Sequence, residues 1–179
     1  MLSISSPVAV APSSFDNEVE KRIFEALSHL GIDFQRVDNE PAVTMDDCRD
    51  IDAALDVSTA KTLLLTNRQQ TNFYLLAMDA DKPFVTRSFS DAMGISRVSF
   101  APEDVMMELL GTERGAATLL SAVVDTDKRV KMVIDRSVCS RKWFGCTAGT
   151  VRCYMKMATD DLLGKYMPYN GHDVTIIDL

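Results

Sequence analysis

The sequence predicts an α+β domain with a mixed, largely antiparallel central sheet flanked by helices. Three observations carry that reading. Amphipathic helical segments are scattered among roughly seven strand-like runs, instead of alternating with them one for one. Several neighbouring strands are separated by short polar turns, as antiparallel pairs allow. The 179 residues, 46% of them apolar, contain no internal repeat and no composition break that would divide them.

Taken in order, residues 1–15 are small, Ser- and Pro-rich and lack a basic n-region. They are expected to be a flexible leader ahead of a domain spanning 16–179. Residues 16–31 place Val19, Ile23, Phe24, Ala26, Leu27 and Leu30 at helical spacing, with Asp16 as the expected N-cap and Gly31 as the stop. "DFQRVD" alternates as a strand does, and "TMDDCRDIDAAL" opens a helix at Thr44 with acids in its first turn. A hairpin follows, with strands 61–66 and 72–78 joined by "NRQQTN". "DKPFVTRSFSDAMGI" gives a turn and a short helix ending at Gly94, and "SRVSFA" is strand-like. "PEDVMMELLG" is a helix between Pro102 and Gly111. "LLSAVVDTD" and "VKMVIDRSV" are expected as strands around a turn at Asp125–Lys128. "KWFGCTAGTVRCYMKMA" is expected as a hairpin turning at Ala148–Gly149. "TDDLLGKYM" is a short helix capped by Thr159, and "HDVTIIDL" is a closing strand.

Composition excludes several function classes. A net charge of −7 argues against wrapping long nucleic acid, which needs clustered Lys and Arg, although it leaves room for contact with one end. The one modest basic cluster is Arg136, Arg141 and Lys142, whose default reading is a solvated face. No apolar run approaches the roughly 20 residues needed to cross a bilayer. Cys48, Cys139, Cys146 and Cys153 form no CxxC pair and no zinc spacing, so reduced thiols in a cytoplasmic protein are expected. "GTERG" lacks the GK[ST] of a phosphate loop, and no GxSxG elbow is present. His29 reads as a surface or boundary residue, and the methionines fit core positions.

One residue resists this bland reading. Lys61 stands at the head of the apolar run Leu63-Leu64-Leu65, and burying an unpartnered ammonium is costly. Either it snorkels to solvent, or it is a fixed charge for an anionic or carbonyl-bearing ligand.

Four stretches then resemble a known family. "NEPAVTMDD" (39–47), "AKTLLLTNRQQTNFYLLAM" (60–78), "GISRVSFAPEDVMMELLGTERGAATLL" (94–120) and "TDDLLGKYMPYNGHDVTIIDL" (159–179) are similar, in order, to segments of the YbaK/ProX superfamily of aminoacyl-tRNA editing domains. The nearest branch is the prolyl-tRNA synthetase-associated domain, which clears alanine from mischarged proline tRNA. The resemblance implies a YbaK/ProX-like fold, a cleft for the 3′ acceptor end of aminoacyl-tRNA, ester hydrolysis without metal or organic cofactor, and prolyl-tRNA synthetase as a partner in cis or in trans. Lys61 matches the family's essential lysine, and Thr62 stands where the family has asparagine; these two are the expected catalytic pair. The family's GxxxP loop becomes Gly115-Ala116-Ala117-Thr118-Leu119, keeping the glycine and losing the proline, so Gly115, Ala116 and Thr118 are expected at the substrate. The branch's FHPN histidine has no counterpart; Thr147, Thr150 or Cys146 are the candidates for that wall, and His172 matches a structural position. These departures keep open a second expectation, a docking module that has kept the fold and lost the chemistry.

Overall fold

The computed structural model describes residues 2–42 and 44–179; Met1 of the leader and Val43 of "NEPAVTMDD" lie outside the described residues. Among the described residues, eight strands form two sheets. The larger has the order β4-β2-β3-β5-β8 and the smaller β1-β7-β6, where β1 is Phe34–Asp38, β2 Lys61–Asn67, β3 Phe73–Met78, β4 Val98–Phe100, β5 Val130–Asp135, β6 Trp143–Thr150, β7 Cys153–Ala158 and β8 Val174–Ile177. β2 pairs antiparallel with β3 and β4, and β7 does so with β1 and β6. The β3–β5 and β5–β8 pairs are parallel. The architecture is thus α+β, mixed and largely antiparallel, with the strands divided between two sheets. A parallel bridge from Thr59 to Gly145, with Ala60 N donating to Gly145 O at 2.9 Å, connects the segment before β2 to the smaller sheet.

The helices follow from their caps and apolar stripes. α1 (Glu18–Leu30) buries Val19, Ile23, Phe24 and Leu27 in the main core. Its cap is Asn17, whose side chain accepts from the Glu20 backbone, so the expected cap at Asp16 is displaced by one residue. Asp16 instead accepts from the Thr150 hydroxyl. α2 (Met45–Leu55) starts in a capping box: Thr44 accepts from the Asp47 N–H, and the Asp47 carboxylate accepts from Thr44 N. It lays Ile51 and Leu55 on Val37 and Tyr154 of the smaller sheet. α3 (Thr86–Met93) and α4 (Glu103–Leu110) end at Gly94 and Gly111, as expected. α5 (Arg136–Cys139) directly follows β5.

Three further sequence expectations are corrected. "LLSAVVDTD" is not a strand; Leu119–Val123 is a fully buried 3₁₀ segment, begun by the Thr118 side chain accepting from Leu120 N. Because β3 and β5 are parallel, the chain must cross over before β5, and this segment completes that crossing. The β6–β7 reversal lies at Val151–Arg152 rather than Ala148–Gly149. Gly149, at φ +85°, is taken up in a bulge where the register shifts between Thr147 and Thr150. Thr159 is not a cap: it is the first residue of α6 (Thr159–Asp161), which continues through a π-helical turn at Leu162–Tyr166 into α7 (Met167–Tyr169).

The stretch before α1 runs along β1. Val8 exchanges backbone hydrogen bonds with Arg36 at 2.9 Å, and Arg36 Nε donates to Val10 O at 2.7 Å. His172 is buried between two turns, its Nε2 3.1 Å from Asp125 O.

Candidate active site

Lys61 opens β2, opposite Met78 at the end of β3, and is half-buried. The 79–82 loop turns back over it. The Lys61 ammonium donates to the carbonyl of Lys82 and, at 3.5 Å, to that of Ala80. It has no carboxylate ion pair among the described residues. Two carbonyl dipoles orient its charge without neutralising it.

Lys61 and Thr62 line a cavity of about 320 Å³, at the small end of ligand pockets. Gly115 and Ala117 form one wall, Thr147 and Tyr154 another, and α2 covers the side with Met45, Cys48, Arg49 and Asp52. A second cavity of about 400 Å³, lined in part by Leu63, Phe100 and Met106, shares Thr62, Gly115 and Ala117 with the first.

The structure therefore brings together Lys61, Thr62, Gly115 and Thr147. Gly115 sits at φ +88°, a conformation costly for any residue with a Cβ, and gives the wall backbone without a side chain. The Thr147 hydroxyl donates to Ala116 O at 2.7 Å, fastening the 115–117 turn to β6. Ala116 itself is fully buried and contributes that carbonyl as an anchor. Thr118 is buried and caps the 3₁₀ segment. Thr150 lies beyond the bulge, bonded to Asp16. Cys146 faces the main core, where burial pushes its thiol up to about 12. Ala116, Thr118, Thr150 and Cys146 do not line the cavity.

The cavity also contains residues that the sequence reading missed. Asp52 Oδ1 accepts from Thr59 N at 3.0 Å, and burial raises its carboxyl above the ordinary range. Burial likewise raises Cys48 and Tyr154, which face one another across the covered side. One signal could have found part of this set. Met45, Cys48, Arg49 and Asp52 fall at i, i+3, i+4 and i+7, a helix stripe beside the Ile51–Leu55 core stripe.

The profile of the aminoacyl-tRNA editing domain family matches residues 39–164. The chain is 23% identical, over 92% of its length and 99% of the relative's, to the prolyl-tRNA editing protein ProX of Acetoanaerobium sticklandii. It is 26% identical, over 76% of its length and 72% of the relative's, to prolyl-tRNA synthetase associated domain-containing protein 1 of Danio rerio. The fold also matches the crystal structure of a candidate trans-editing enzyme for prolyl-tRNA synthetase. The TM-score is 0.63 at 14% identity, covering 93% of this chain and 99% of the other. A match over most of the domain, including the Lys61 strand and the Gly115 turn, establishes that the chain belongs to the aminoacyl-tRNA editing domain family.

Proposed function

We propose that this domain is a cytoplasmic deacylase that hydrolyses the ester joining a small amino acid, alanine first, to the terminal ribose of mischarged proline tRNA, beside or fused to prolyl-tRNA synthetase. One observation carries the reading: Lys61, which has no carboxylate ion pair among the described residues, lines the same cavity of about 320 Å³ as the side-chain-free turn at Gly115.

In the reaction, water adds to the ester carbonyl, the tetrahedral oxyanion collapses, and the ribose oxygen leaves with a proton. Esters are activated, so positioning water and stabilising the oxyanion suffice without a covalent nucleophile. Lys61 supplies the positive charge for the oxyanion or the terminal phosphate. Thr62 orients water or substrate. Asp52, whose carboxylate burial makes more basic than an ordinary one, is suited to take the proton from water. Ala60, Ala117 and Gly115 keep the wall low in volume, so a methyl side chain fits and bulkier ones are excluded sterically.

The test is deacylation of proline tRNA charged with alanine, cysteine or proline. Hydrolysis of the alanine ester and sparing of the proline ester is the expected result; no hydrolysis of any of them overturns the reading. A docking module without chemistry is the second reading, favoured by the two carbonyls already bonded to Lys61. Binding of alanyl-tRNA without turnover in the same assay would select it.

A further inference from the structure

The outer face of the smaller sheet leads out of the cavity to an exposed aromatic residue. Trp143 pairs with Ala158, Gly145 with Lys156 and Thr147 with Tyr154, so Trp143, Gly145 and Thr147 share one face of β6. Thr147 lines the cavity. Gly145 lies beneath the 57–59 segment, where a Cβ would approach Val57 Cγ1 to 2.9 Å and Thr59 Cα to 3.1 Å. Trp143 emerges beyond that segment and is 39% exposed.

Trp143 carries two ammonium groups. Lys142 Nζ lies 5.3 Å and Lys156 Nζ 5.4 Å from its ring centroid. Neither lysine has a carboxylate ion pair among the described residues; Lys156 adds only a 3.5 Å bond to Asp56 O. Beside the ring runs a groove of about 470 Å³ formed with Ile32, Phe34 and Gln35, on which Asp33 is the one acid among the described residues. In a chain of net charge −7, a solvent-facing indole flanked by two unneutralised cations is a local reversal of sign. That combination suits a single-stranded nucleic acid, whose bases stack on aromatic rings while its phosphates meet lysine. Four residue steps along β6 separate Trp143 from Thr147, about 13 Å, which no more than about four stacked nucleotides span.

We propose that Trp143, Lys142 and Lys156 form a landing platform for the single-stranded nucleotides preceding the terminal adenosine, with a base on or beside the indole and phosphates on the lysines. This rests on the deacylase reading for the identity of the RNA, and its test separates the two. Trp143 is the chain's single tryptophan, so its emission reports the platform directly. Titrate the protein with a short single-stranded RNA ending in cytidine-cytidine-adenosine across a salt series. A saturable emission change is expected, with a log–log salt slope of about −1.4 for two single-strand phosphate contacts, falling to about −0.7 in Lys142→Gln or Lys156→Gln. Trp143→Ala should raise KM for alanyl-tRNA roughly tenfold or more, leave hydrolysis of a minimal alanyl-adenosine ester unchanged, and be largely rescued by Trp143→Tyr. Unmoved emission, an unchanged KM in Trp143→Ala, or equal loss on both esters would overturn the platform. An equal response to a polyglutamate peptide would also overturn it by marking a nonspecific anion patch. RNA-dependent emission with no hydrolysis of either ester keeps the platform and removes the deacylase; hydrolysis of both with a silent Trp143 does the reverse.

Discussion

Lys61 and Lys82 stand at the same end of the larger sheet, and their ammonium groups are handled in opposite ways. Lys82 Nζ meets the Asp135 carboxylate at 2.9 Å, Ser137 Oγ at 3.3 Å and Leu179 O at 2.7 Å, so three donor directions are filled. Asp135 is 1% exposed. Burial pushes its carboxyl up, but bonds from Ser137, Lys82 and Leu179 N outweigh burial and leave it below the ordinary range. Lys61 has only carbonyl acceptors among the described residues. The two sites touch, because the backbone carbonyl of Lys82 is one of the Lys61 acceptors. A lysine with a full set of partners is a structural tie, whereas one bonded to carbonyls alone has no carboxylate to offset its charge.

The largest break in this comparison should come from Lys61→Ala. We expect deacylation to fall by about 10²–10³, as when an oxyanion donor is removed, with an unchanged unfolding midpoint. Wild-type activity in the folded variant would remove Lys61 from the mechanism. Lys82→Met should do the opposite, costing about 3 kcal/mol of stability, the low end for orphaning one partner of a buried pair, since Lys82 is itself 35% exposed. Activity measured below the unfolding transition should fall much less than in Lys61→Ala. The pH dependence follows in sign. The depressed Asp135 carboxyl contributes stability above its unfolded pKa, and that stability is lost as pH falls through the folded value. Lys82→Met should narrow that acid window in urea melts; an unaltered acid limb would show that Lys82 does not hold Asp135 down.

Thr147→Val tests the fastening of the opposite wall. It leaves the Ala116 carbonyl without its bond, at a cost of about 1–3 kcal/mol, and a loosened turn should lower kcat/KM by about tenfold. Thr147→Ser should restore both, and failure of that rescue would mean that the methyl group, not the hydroxyl, matters. The smallest effect on stability is expected from Asp52→Asn, whereas its loss as the proposed base should lower activity by about 10²-fold or more. Burial raises the folded pKa of Asp52, so the folded protein loses stability as pH rises from the unfolded value through the folded one. The amide removes that penalty and should raise the melting temperature slightly at neutral pH while lowering activity. In the unmodified protein, activity should climb with pH through the raised pKa. A flat profile would exclude Asp52 as the base.

Much of the fold was legible because local chemistry and tertiary context agree. The Thr44 capping box, the Pro102 and Gly111 boundaries and the β2–β3 hairpin are encoded within a few residues. Leu119–Val123 misled because a short, fully buried apolar run looks the same as strand or helix until its neighbours are known. The turn misread at Gly149 has a similar origin. Its positive φ serves a bulge pinned by Asn17 Nδ2, which donates to Gly149 O at 2.9 Å from across the fold. Lys61 was legible through its sequence context, but the distinction from Lys82 was not, since Asp135 lies 53 residues from Lys82. Asp52 and Tyr154 reach the cavity only because α2 packs on the smaller sheet, a contact that no local spacing encodes.

The tie at Lys82 also sets an order of events during synthesis. Its carboxylate partner comes from β5 and its carbonyl partner is Leu179, beyond β8, which pairs in parallel along β5. Until the ribosome has added Asp135 the 79–82 loop lacks all three of its Lys82 anchors, and until it has added Leu179 it still lacks one. Parallel closure over such sequence distance is slow. A nascent domain would therefore present its cleft before the Lys82 tie has closed, and full stability of the 79–82 loop should arise late, with the docking of β8.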